Sequence, residues 1–75
     1  MATVEDCILR FVQSKANLPQ EVSVKRIDGT PVIFEISISR IDSVKVHSVL
    51  KEIRVIAGGI SGLLDYQVNL KILEK

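Results

Sequence analysis

At 75 residues, with a net charge of +1 and a mean hydropathy of +0.30, the chain has the size of one domain, 1–75, and no overall field to draw nucleic acid or an anionic membrane. A single cysteine, Cys7, excludes an internal disulfide, and the uncharged apolar stretch 55–64 is far short of the roughly 20 residues of a membrane-spanning helix. The acidic start lacks the long apolar run of a secretory signal, so a cytoplasmic home is expected.

Val4, Cys7, Ile8, Phe11 and Val12 recur at three- and four-residue steps and predict an amphipathic helix. Thr3 caps it, with Asp6 three positions later in a capping box; Asn17 in a left-handed conformation and Pro19 end it. Val22 and Val24 then alternate with polar residues, as do Val32, Phe34, Ile36 and Ile38, which predicts two strands. A three-residue Ile27-Asp28-Gly29 loop with Gly29 left-handed joins them and pairs Val24 with Val32 and Val22 with Phe34.

Asp42 reads as the N-cap of a second helix, with Ile41 and Val46 as a hydrophobic staple. Its buried stripe is Val46, Val49, Leu50, Ile53, Ile56 and Ala57, and Gly58 stops it. An apolar loop from Gly59 to Leu64 leads to a last strand with Tyr66, Val68, Leu70 and Ile72 on one face. Strands that alternate this cleanly bury one face only. The expected fold is therefore α+β: a two-layer sandwich in the order α-β-β-α-β, with a three-stranded mixed sheet, both helices on one face, and the last two strands parallel.

The chemistry is sparse. His47 is the one side chain with an ordinary pKa near neutrality, and no nucleophile sits at a spacing that would use it, so a non-enzymatic protein without a cofactor is expected. Cys7 lies on a core stripe and reads as a small hydrophobe; one Cys and one His do not make a zinc site. His47, Lys51 and Arg54, spaced by four and three, line one flank of the second helix as a possible anion-binding ridge. The glycines at 58, 59 and 62 follow a helix, where the partial charge is negative, and so do not form a phosphate loop.

Gly59-Ile60-Ser61-Gly62, taken with the element order, resembles a type II KH domain, a family whose GxxG loop between two helices grips single-stranded nucleic acid. The resemblance implies nucleic-acid binding, and Arg40, Lys45, His47, Lys51 and Arg54 are the basic residues on or beside the second helix that would serve it. The three aromatics, Phe11, Phe34 and Tyr66, all fall on expected core faces, which leaves no stacking platform on the open sheet.

Apolar residues outside the core stripes cluster near Val55, Ile60, Leu63 and Leu64, with Leu73 on the last strand. A three-stranded sheet also has two unpaired edges, on one of which Lys71 and Lys75 act as gatekeepers. The leading expectation is thus a small protein-interaction module with no membrane partner, joined to a second copy or another protein through the apolar loop and a sheet edge. Nucleic-acid binding is the alternative.

Overall fold

A computed structural model describes residues 3–64 and 67–75. Its helices are α1 (Val4–Lys15), α2 (Ser43–Ser48) and α3 (Leu50–Ser61), and its strands are β1 (Ser23–Ile27), β2 (Val32–Ile38) and β3 (Val68–Glu74). The strands form one sheet in the order β1-β2-β3, with β1 antiparallel and β3 parallel to β2. This is the expected two-layer α+β sandwich with a mixed sheet. Val4, Ile8 and Val12 of α1, Val46 of α2, and Ile53 and Ala57 of α3 share one buried cluster with Phe34, Ile36, Ile38 and Val68 from a single sheet face. No described helix is long and apolar enough to cross a membrane.

The start of α1 follows the sequence closely. The Thr3 hydroxyl accepts the Asp6 amide at 3.1 Å, and the Thr3 amide donates back to the Asp6 carboxylate at 3.4 Å, closing the capping box. The helix ends differently: Ala16 is an extended C-cap, and no described residue other than glycine has positive φ, so Asn17 is not left-handed.

Asp42 accounts for that ending. Its carboxylate is fully buried and caps nothing in α2; it reaches across to accept the amides of Asn17 at 2.7 Å and Leu18 at 3.0 Å. The amides of the two residues after the C-cap are thus taken by a side chain from the other half of the chain, in place of the donation back to the α1 carbonyls that a left-handed cap makes. The expected staple is also missing, since Ile41 is 66% exposed while Val46 is buried.

The hairpin register differs from expectation. Val24 pairs with Ile36 and Ile27 with Ile33, and residues 28–31 connect β1 to β2, with a cis Thr30–Pro31 peptide and Gly29 at φ 159°. Val24 is displaced four positions along β2, from Val32 to Ile36. An even slide keeps every side chain on its face, so apolar alternation alone does not separate the two registers.

The second helix is two helices meeting at Val49 (φ −113°, ψ 16°), and the expected stripe survives the break: Val46, Ile53 and Ala57 are buried, while Val49, Leu50 and Ile56 are partly buried against the core. Three β-branched residues, Val44, Val46 and Val49, weaken helix propensity up to the break. Farther on, α3 runs through Gly58 to Ser61. Gly62 supplies the left-handed cap at φ 74°, its amide donating to the Gly58 carbonyl at 3.0 Å. The first half of the segment expected as an apolar loop, residues 59–61, is therefore helical. Tyr66 lies outside the described residues.

Candidate binding groove

The helix layer does not cover the whole sheet. Between α3 and β3 lies a groove of about 420 Å³, within the range of small binding sites, lined by His47, Leu50, Lys51, Arg54, Leu70 and Ile72. Leu50, Leu70 and Ile72 are partly buried and form an apolar floor. The parallel register sets Phe34 beside Leu70 and Ile36 beside Ile72, so the floor continues the core outward past the buried strand β2. β3 is an edge strand, so one row of its backbone groups has no strand to pair with.

Three basic side chains rim that floor. The Arg54 guanidinium donates from Nη1 to the Val68 carbonyl at 3.3 Å, which anchors it over the start of β3. His47 donates from Nδ1 to the Ser43 carbonyl at 2.8 Å; a carbonyl only accepts, so this bond places a proton on Nδ1 and leaves Nε2 for a ligand. Ser43 in turn donates its hydroxyl to Glu74 at 2.8 Å, tying the start of α2 to the end of β3. Lys51 is exposed in the first turn of α3, where the helix dipole adds positive potential. Among the described residues no carboxylate pairs with His47, Lys51 or Arg54; the ion pairs are Arg26–Asp28, Lys71–Glu35 and Lys75–Glu21.

The groove thus gathers three of the five basic residues singled out from sequence. Arg40, in a 3-10 turn before α2, and Lys45, on α2, are exposed and do not line it. The apolar candidates separate in a similar way. Val55, Ile60 and Leu64 are exposed along α3 and just beyond it, whereas Leu63 packs against the core and Leu73 projects from β3 beside Ser37. Leu50, Leu70 and Ile72 appear in the sequence only as core positions, because alternation names a face and not whether a helix covers it.

Among the described residues no three His, Cys, Asp or Glu side chains converge to hold a metal ion. Cys7 is partly buried on α1. The GxxG segment assigned by resemblance to a KH domain lies in the last turn and cap of α3, and Val49, not a glycine loop, joins α2 to α3. The resemblance therefore rests on element order alone. Comparison with family models, with curated proteins and with solved structures finds no match for this chain.

Proposed function

We propose that this chain is a non-enzymatic protein-interaction module that captures an extended peptide segment along β3. The carrying observation is the groove itself: an apolar floor and a cationic rim beside an unpaired strand edge. A strand edge offers main-chain hydrogen bonds to any extended chain, and a groove beside it admits alternate side chains, which is the general logic of β-strand addition. Among the described residues that line the groove, none is a nucleophile with a base to activate it, as covalent catalysis requires.

Panning a display library of random linear dodecapeptides against the immobilised chain tests this reading. Extended sequences should be enriched whose binding falls at least about tenfold in Ile72→Lys, which puts a charge on the groove floor, with folding checked by circular dichroism. Failure to enrich any sequence, or enrichment indifferent to Ile72→Lys, defeats the proposal.

A specific observation also favours self-association. Val55, Ile60 and Leu64 are each more than half exposed, and Gly59 leaves open space where a Cβ would stand. Glycine within a helix costs up to about 1 kcal/mol relative to alanine, and a partner helix approaching closely at Gly59, in the last turn of α3, would be a return for it. We assign that outer surface of α3, rather than a sheet edge, to contact between two copies.

A further inference from the structure

We infer that the segment taken by the β3 groove is acidic, with apolar side chains and carboxylates both present on the groove-facing side of an extended chain; this rests on the interaction reading above.

A strand added at β3 lies about 4.8 Å away and projects successive side chains to opposite sheet faces. On the helix side, its side chains enter the groove over Leu70 and Ile72 and meet Lys51, Arg54 and His47. On the open side, they lie beside Lys71, whose side chain is 60% exposed and reaches Glu35 only at 4.0 Å. Cations therefore flank the incoming strand on both faces, and no described residue that lines the groove is a carboxylate. Carboxylates among the groove-facing side chains would meet Lys51, Arg54 and His47, apolar ones beside them would cover the floor, and a carboxylate on the other face would meet Lys71.

The same charges disfavour two other occupants of this edge. A second copy pairing β3 with β3 brings Lys71 and its own basic rim against the first, which is like-charge repulsion. Among the described residues, single-stranded nucleic acid would find cations but no aromatic surface: Phe34 is fully buried, and neither described aromatic, Phe11 or Phe34, lines the groove.

Fluorescence anisotropy at low salt with three labelled probes tests the inference. The probes are a capped octapeptide repeating valine-valine-aspartate-aspartate, which puts both residue types on each face of a strand, its counterpart with lysine for aspartate, and a twelve-nucleotide oligothymidylate. The aspartate peptide should bind at least about tenfold more tightly than either other probe, weaken as salt rises, and weaken about tenfold again in Lys51→Glu. Lys51 is exposed, so this variant should keep its fold. The same peptide with proline at alternate positions should lose binding, because it cannot complete a strand ladder.

Equal binding of the acidic and basic peptides, or tighter binding of the oligothymidylate through Lys51, overturns the inference. Neutral or basic sequences emerging from the library also overturn it while leaving the interaction module standing. An empty library defeats both.

Discussion

The two sides of the sheet receive the helix layer differently. On the β1 side, α1 packs over the strand and contributes Ile8 and Val12 to a cluster with Phe34 and Ile36, all four fully buried. On the β3 side, α3 packs over the start of the strand, where Val68 is buried, and leaves Leu70 and Ile72 partly exposed in a groove rimmed by bases. Val22, just before β1, and Val24 within it alternate as Val68, Leu70 and Ile72 do on β3, until Arg26 breaks the pattern. The helix above each strand differs, so a similar sequence signal leaves covered core on one side and a ligand-sized opening on the other.

The sealed side is held by Asp42, and removing its carboxylate should have the largest effect. Asp42→Ala leaves the Asn17 and Leu18 amides without an acceptor beside a new cavity, at a cost of about 3 kcal/mol. In a domain this small that lowers Tm by roughly 15 °C. Asp42→Asn keeps an acceptor oxygen and should lose about half as much. A thermal melt in which Asp42→Ala costs under 1 kcal/mol would show that water serves those amides equally well.

Truncation on each side sharpens the comparison. Ile8→Ala removes side-chain volume from a closed site and should cost about 3 kcal/mol, whereas Leu70→Ala opens onto the groove and should cost about 1 kcal/mol. Urea unfolding measures both. Equal losses would mean that the groove closes over Leu70 in solution.

These regions were also unequally legible in the sequence. The α1 stripe, the Thr3–Asp6 box and the faces of β2 and β3 follow from periodicity, because a 3.6-residue or two-residue repeat determines which side chains share a face. Asp42 did not, because an aspartate before a helix normally caps that helix, and its amide partners lie 24 and 25 residues away. The hairpin slide kept parity and so left no trace in the pattern. His47, Lys51 and Arg54 were visible as one flank, yet the floor that makes that flank a site belongs to β3 and depends on tertiary placement. Among the glycines, only Gly62 carries the positive φ of a helix cap, and the local sequence does not distinguish it from Gly58.

The smallest effects separate monomer stability from association at the end of α3. Gly62→Ala places a Cβ at φ 74° and should destabilise by about 1 kcal/mol, while Gly59→Ala puts one in open helical space and should stabilise the monomer by about 0.5–1 kcal/mol. If two copies meet across Gly59, that same methyl holds their helices apart. Sedimentation equilibrium should then show Gly59→Ala associating several-fold more weakly than the unaltered chain although its monomer is more stable, with Leu64→Asp abolishing association. A stabilised Gly59→Ala that associates unchanged would remove α3 from the contact and leave the glycine without a packing role.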